Sequence, residues 1–353
     1  MVPKVLIILG SGSDLKIAKR TMDILEELQI SYGLNIASAH RTHEKVKNVV
    51  IKGTEVGIKV FIGVAGLAAH LPGVIASFTH RPVIAVPVDV SLSGLDSLLA
   101  AVQTQFPASV ATVGINRGDN AGILAAEILG IDDENIRTNL SKLRKSHRDK
   151  VYCSEEEILS EIRGSYFKNF ELNQNIEDKY NFNSISKIDN ISDVDCMDKD
   201  LNGFVDVAVI LDSHLNIKVA ETILEILNKL DISHDFKVTS PIANPIEFSD
   251  YINRMKDVKL FVGIGGSSAV ITGSIVALSE TVVIGVPCSN QLNGLDALLS
   301  MVNMPPGVPV ATVGIDSGEN AALLIGRILG IHDKKIETDL KGEIDNERVF
   351  KEI

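Results

Sequence analysis

The stretch VLIILGSGSDLKIAKRTMDILEELQI (5–30) returns as VAVILDSHLNIKVAETILEILNKLDI (207–232), an offset of 202 residues. Its apolar positions coincide: Val5 with Val207, Leu9 with Leu211, Ile24 with Ile226, Leu28 with Leu230. Further on, SGLDSLLAAV (93–102) matches NGLDALLSMV (293–302), and ATVGI recurs verbatim at 111–115 and 311–315. GDNAGILAAEILGI (118–131) matches GENAALLIGRILGI (318–331), by which point the offset is 200. A period this long is a duplicated domain, not a solenoid. The change of offset predicts that the second copy lost two residues in a loop. Whatever fold one half adopts, the other must adopt it too.

Each copy alternates short apolar runs with helical patterns. In the first, strands are expected at 4–9, 33–37, 58–64, 82–86 and 110–114, each bounded by turn residues. Ile17, Met22, Leu25 and Leu28 recur at helical spacing over 14–28, with Asp14 suited to the helix start. Such alternation implies an α/β fold: a mostly parallel sheet with helices on both faces. Ligands in these folds bind beyond the carboxyl ends of strands. The expected organisation is a domain at 1–150, an acidic and polar linker at 151–204, and a second domain at 205–353. The linker, rich in Asn, Asp, Ser and Glu, reads as helical over Glu155–Ile162 and poorly ordered beyond it.

At 45% hydrophobic, the 353 residues can supply a sizeable core. The net charge of -12 and the absence of any Lys/Arg run argue against nucleic acid or an anionic membrane as partner. Cys153, Cys196 and Cys288 form no CxxC pair and no disulfide framework, which suits a reducing cytoplasm. The apolar run Val5–Leu9 is too short for a signal-peptide core or a membrane span and reads as a buried strand.

Three strand ends of the first copy carry polar groups among small residues. GSGSD (10–14) closes the first strand and opens a helix, where small residues let backbone N–H groups approach an anion; a plain turn is the bland alternative. SAHR (38–41) follows the second strand as a small, flexible turn. Arg41 could fork onto a phosphate and His40 could shuttle a proton near neutral pH. His40, His43 and Glu44 raise a metal site as a third option, but no thiolate or clear fourth ligand joins them. AGLAAHLPG (65–73) follows the third strand, with His70 at the edge of a narrow apolar floor and Pro72 near a helix start.

The second copy serves as an internal comparison. Gly10, Gly12 and Asp14 become Asp212, His214 and Asn216; His40 and Arg41 become Ile242 and Ala243; His70 and Pro72 become Val270 and Thr272. The apolar framework survives while the polar strand-end groups do not, so those groups serve function rather than fold. Conversely, only the second copy has NMPPGVPVATVGI (303–315), whose Pro305, Pro306 and Gly307 make a stiff loop.

GSGSD, SAHRT, GLAAHLPG, SLSGLDSLL and the NMPPGVPVATVGI stretch resemble the PurE family of purine biosynthesis, well over 3–145 and as a degenerate copy over 205–335. SAHRT with AAHLPG resembles the N5-carboxyaminoimidazole ribonucleotide mutase class. The resemblance implies a flavodoxin-like three-layer α/β/α sandwich, octameric domain assembly with sites between subunits, and no metal or organic cofactor. It implies isomerisation of a small ribonucleotide, the carboxylate moving from the exocyclic nitrogen to carbon 4 through retained carbon dioxide. By the same resemblance, Gly10, Ser11, Ser13 and Asp14 hold the ribose phosphate end, and Ser38 and Arg41 bind phosphate. His40 is then the general acid and base, and Ala65, Gly66, Ala68, His70 and Leu71 form the carbon dioxide pocket, with Leu67 where many relatives have a smaller residue. A homotetramer of tandem chains would supply eight such domains, with the Met304, Pro305, Pro306 and Gly307 loop completing a neighbouring site. The rivals are carboxylation of aminoimidazole ribonucleotide by free carbon dioxide, and a nucleotide- or phosphate-binding protein without turnover.

Overall fold

The computed structural model describes residues 2–161, 205–267 and 269–350. The N-terminal half runs β1 (Val5–Leu9), α1 (Leu15–Glu27), β2 (Tyr32–Ile36), α2 (His43–Val56), β3 (Val60–Gly66), α3 (Leu71–Ser77), β4 (Val83–Val88), α4 (Leu95–Val102), β5 (Ala111–Thr112) and α5 (Gly118–Gly130). Helix α6 (Glu134–Glu161) follows. The C-terminal half repeats the order: β6 (Val207–Leu211), α7 (Ile217–Lys229), β7 (His234–Val238), α8 (Pro245–Arg254), β8 (Leu260–Gly265), α9 (Val270–Leu278), β9 (Val282–Pro287), α10 (Leu295–Val302), β10 (Ala311–Thr312), α11 (Gly318–Leu329) and α12 (Lys334–Phe350).

Residues 1–142 and 205–353 form one compact unit, and 143–204 a second, whose described part is the end of α6. The helix expected over Glu155–Ile162 is present to Glu161; the rest of the expected linker, with Cys196, lies outside the described residues.

All strands join one sheet in the order β2-β1-β3-β4-β5-β10-β9-β8-β6-β7. Each half therefore has the flavodoxin-like order 2-1-3-4-5, parallel throughout. The halves meet at β5 and β10, which pair antiparallel at Thr112 and Thr312. The expected strand at 110–114 is only two residues long there. Strands β1 and β6 are buried along their whole length, as continuous apolar runs covered on both faces should be. Leu6, Ile8 and Phe61 pack with Val46, Val50 and Ile75 on the α2–α3 side. Alternation sends Ile7, Leu9 and Ile62 to the opposite face, where α1 and α5 pack together.

Helix α5 is buried at every residue except Asp119, because it lies between the sheet, α1 and the other half. Its crossing with α1 is close: a Cβ on Gly118 would sit 2.3 Å from the Ile17 carbonyl oxygen, and one on Gly122 2.9 Å from Ile24 Cβ. The two-residue shortfall of the second copy is not a simple loop deletion. Helix α8 has 10 residues where α2 has 14, and the left-handed Gly57 that ends α2 has no counterpart at the end of α8, which closes on Met255.

Candidate active site

Strands β1, β2 and β3 all end at one cleft of about 480 Å³. It is lined by Gly10, Ser11, Ser13 and Asp14 after β1, by Ser38, His40 and Arg41 after β2, and by Ala65, Gly66, Ala68, His70 and Leu71 at the end of β3 and the start of α3. Three motifs far apart in sequence thus converge, as the strand-end rule requires. Ala39, Leu67, Ala69 and Val90 complete the lining. Sequence reasoning misses Val90, although it lies just past the carboxyl end of β4, the position that could have signalled it. It explains Gly66: a Cβ there would meet Val90 Cγ2 at 2.5 Å.

The GSGSD segment forms a one-turn 3-10 helix at Gly12–Asp14 before α1. Ser11 Oγ accepts from Ser13 N, and Asp14 accepts from Ser11 N at 3.0 Å and from Ser13 Oγ at 3.1 Å. Asp14 is 4% exposed. Burial raises its pKa above the ordinary value, and the bonds from Ser13 and Ser11 and the charge of Arg41 only partly oppose this. A Cβ on Gly12 would meet nothing within 4 Å, so its backbone faces open space, as an anion cradle needs.

The small residues of the SAHR turn suggest flexibility, but its hydrogen bonds close it. Ser38 N donates to Thr42 Oγ1 at 2.9 Å, Thr42 N to Ser38 O at 3.0 Å, and Arg41 N to Ser38 Oγ at 3.3 Å. Those bonds present His40 and Arg41 on a fixed loop. Arg41 reaches the Gly10 carbonyl at 3.4 Å, linking the β1 and β2 ends. His40 Nε2 lies 2.9 Å from His70 Nδ1, the rings meeting edge to face at 65°. Only one of these nitrogens can carry the shared proton, so the pair holds one hydrogen bond and fixes both ring planes. His43 instead packs on Phe78, and Glu44 lies beside Lys47. The residues of the metal option do not converge, and among the described residues no three His, Cys, Asp or Glu side chains do.

The C-terminal half keeps the scaffold and loses the heads. Ser213 Oγ still accepts from Leu215 N, and Ser240 Oγ from Ile242 N and Ala243 N, around a cleft of about 580 Å³. Where Arg41 would stand is Ala243, and half-buried Asp212 replaces Gly10. Burial pushes the Asp212 carboxyl from 3.8 up to about 6, against bonds from Asn216 and the backbone of Gly266. The folded state therefore holds this proton more tightly than the unfolded chain, so stability falls as pH rises from about 4 to 6. Asp212→Asn should raise Tm by a few degrees at pH 7.5, a gain on the order of 2 kcal/mol, and the gain should vanish at pH 4. Thermal melts at the two pH values check this.

The Pro305–Pro306–Gly307 loop does not reach the cleft of its own chain. It docks on the start of α5, where Asn120 Nδ2 donates to Pro305 O at 3.0 Å and Gly307 N to Asn120 Oδ1 at 2.9 Å. Asn320 reciprocates, donating to Thr104 O at 2.9 Å. Cys153 is exposed and Cys288 buried, both as free thiols.

The family described as AIR carboxylase matches residues 4–150 and again 206–348. A protein of Methanothermobacter thermautotrophicus named probable N5-carboxyaminoimidazole ribonucleotide mutase is 49% identical over 341 residues, 97% of either chain. One of the same name from Methanobrevibacter smithii is 47% identical over 356 residues, 99% of either chain. The N5-carboxyaminoimidazole ribonucleotide mutase of Methanocaldococcus jannaschii is 54% identical over 152 residues, which span 43% of this chain and 95% of that one.

Proposed function

Since the chain belongs to the AIR carboxylase family in both its halves, we propose that it is an N5-carboxyaminoimidazole ribonucleotide mutase whose chemistry resides in the N-terminal half. Relatives matched over nearly their full length carry that name. The observation that carries the site assignment is the meeting of His40 and His70 in the cleft that also gathers Ser11, Asp14, Ser38 and Arg41.

In this reading the phosphate rests on the GSGSD backbone, Ser38 and the Arg41 guanidinium. Asp14, bonded to Ser11 and Ser13, takes a ribose hydroxyl. His40 in its protonated form gives its proton to the exocyclic nitrogen as the nitrogen–carboxylate bond breaks. That step leaves aminoimidazole ribonucleotide and carbon dioxide. Carbon 4 then attacks the carbon dioxide, and the new carbon–carbon bond forms. His40, now neutral, removes the carbon 4 proton and the ring regains aromaticity. Atoms and protons balance, and one imidazole serves both transfers. Ala65, Gly66, Ala68 and Leu71 keep the pocket small and apolar, which favours recapture of carbon dioxide over escape.

The test uses purified protein without ATP. It is offered N5-carboxyaminoimidazole ribonucleotide, and separately aminoimidazole ribonucleotide with bicarbonate. Rapid formation of 4-carboxyaminoimidazole ribonucleotide from the first supports the mutase; turnover only from the second makes it the carboxylase; turnover from neither leaves a binding protein.

Residues 1–150 would be the catalytic domain, 151–204 the linker and 205–353 a domain without catalysis. Four chains would gather eight domains, with the 304–307 loop near a neighbour's cleft. The free thiols of Cys153 and Cys288 suit a reducing, cytoplasmic setting. Among the described residues no helix is long and apolar enough to cross a membrane. With Asp212 for Gly10 and Ala243 for Arg41, the second cleft presents a carboxyl and no guanidinium to a phosphate. Calorimetric titration with the product ribonucleotide should therefore give one site per chain; two would restore the second half as a binding domain.

A further inference from the structure

Helix α3 forms the back wall of the cleft. Its first turn carries Leu71, directly after His70, and both line the site. Its other end points away from the cleft, towards the C-terminal half. There Arg327 of α11, 1% exposed, reaches across the joint. Nη1 donates to Thr79 O at 2.7 Å and Arg81 O at 3.2 Å, and Nη2 to Ala76 O and Pro107 O, both at 3.2 Å. Arg348 of α12 donates to Ser77 O at 2.6 Å. Glu337 of α12 lies 2.7 Å from His80 Nε2 and 3.4 Å from Arg81 Nη2. The turn from α3 into β4 is thus held by three charged side chains of the other half.

A guanidinium buried against carbonyl oxygens is costly to desolvate. Burial lowers the Arg327 pKa to about 9, so the side chain stays charged at neutral pH. The copies differ at this joint, and the turn after α9 is met by Ser141 of α6, at Glu280. The counterpart of Arg327 in α5 is Glu127, and that of Glu337 is Arg137, which turns back to Gly130 O and Ile131 O of its own half. The helix matching α3 in the C-terminal half, α9, begins at Val270 where the catalytic half has His70. Arg327 and Arg348 anchor the far end of the helix that leads from the histidine pair.

We propose that Arg327 is a positioning residue for the reaction: the C-terminal half, which has lost the catalytic groups, holds α3 from behind and so fixes His70 against His40. This rests on the reading of His40 as the proton shuttle. Seven residues of helix span about 10 Å, a short rod that moves as a body. A shift of its C-terminal end displaces the His70 ring from its 2.9 Å contact.

The experiment uses the full chain and the variants Arg327→Met, Arg327→Lys and His332→Gln. His332 lies in the same joint, bonding Ile128 O at 3.1 Å away from α3, and serves as the control for weakening the joint alone. Steady-state kinetics, thermal melts and side-chain 15N spectra of 15N-histidine-labelled protein are recorded. The expectation for Arg327→Met is a kcat about ten-fold or more lower, KM within about three-fold, and displaced His40 and His70 ring signals. Arg327→Lys should recover part of kcat, and His332→Gln should lower Tm with kcat and ring signals kept. If Arg327→Met fails to fold, Arg348→Met provides the second variant, with the same signature at smaller size. A lowered Tm with wild-type kcat and unmoved ring signals in the arginine variants overturns the proposal. If His40→Asn turns over normally, the reading of the site has failed instead.

Discussion

His40→Asn should lower the isomerisation rate by about 10³-fold or more while the ribonucleotide still binds within a few-fold of wild type. Asparagine keeps a planar polar group of similar reach but cannot carry a proton at neutral pH. Both transfers in the proposed reaction use the same imidazole, so both fail together. Binding should persist, because Ser38, Arg41 and the GSGSD backbone do not depend on the ring. The turn presenting residue 40 is closed by Ser38 and Thr42 and should survive the change. Two measurements check this: rapid-quench turnover of N5-carboxyaminoimidazole ribonucleotide, and calorimetric affinity for the product. Exchange of the carbon 4 proton of aminoimidazole ribonucleotide with deuterated solvent should stop as well. A variant within about ten-fold of wild type would move the proton transfer to another group. His70→Asn should be less severe than His40→Asn. It removes the ring's partner and not the shuttle, so kcat should fall and exchange should slow without stopping.

What can be read from the chain alone follows from the range over which each interaction acts. The strands are legible because a parallel strand covered on both faces must be apolar throughout, and VLIIL and VAVIL are. The cleft is legible because three strand ends each carry polar groups that the repeat has discarded. Val90 escapes notice because it carries no chemistry, and only the fold brings it against Gly66. The stiffness of the SAHR turn depends on Thr42, whose hydroxyl looks like a solvated helix-start residue until its bond to Ser38 is seen. The joint between the halves is least legible. Asn120 and the 304–307 loop, or Arg327 and the end of α3, lie far apart in sequence and share no periodicity. An offset comparison of apolar positions passes over Glu127 opposite Arg327. That difference between the copies concerns the joint and not the cleft.

A fragment ending at residue 150 should be insoluble or inactive for this reason. Without the C-terminal half, β5 loses its antiparallel partner, and the face of α5 that meets the other half is exposed to water. A single-copy relative from M. jannaschii spans about the same length, so one copy of this family is a complete chain there. The obvious rescue for the fragment is pairing with a second copy of itself in the geometry of β5 with β10. That pairing would bring Glu127 to the place of Arg327, so the carbonyls of Ala76, Thr79, Arg81 and Pro107 would lose the guanidinium that donates to them. A buried carbonyl left without its donor costs about 1–3 kcal/mol, so the loss of the guanidinium weakens the pair. Glu127→Arg in the fragment should therefore restore a soluble dimer, since the guanidinium introduced in each copy would then donate to the carbonyls of the other. Size-exclusion chromatography with light scattering, followed by the mutase assay, distinguishes the outcomes. An unmodified fragment that pairs and turns over would show that the joint carries no such code. A Glu127→Arg fragment that pairs and regains turnover would show that a guanidinium against the end of α3, rather than anything else in the C-terminal half, is what the catalytic cleft requires.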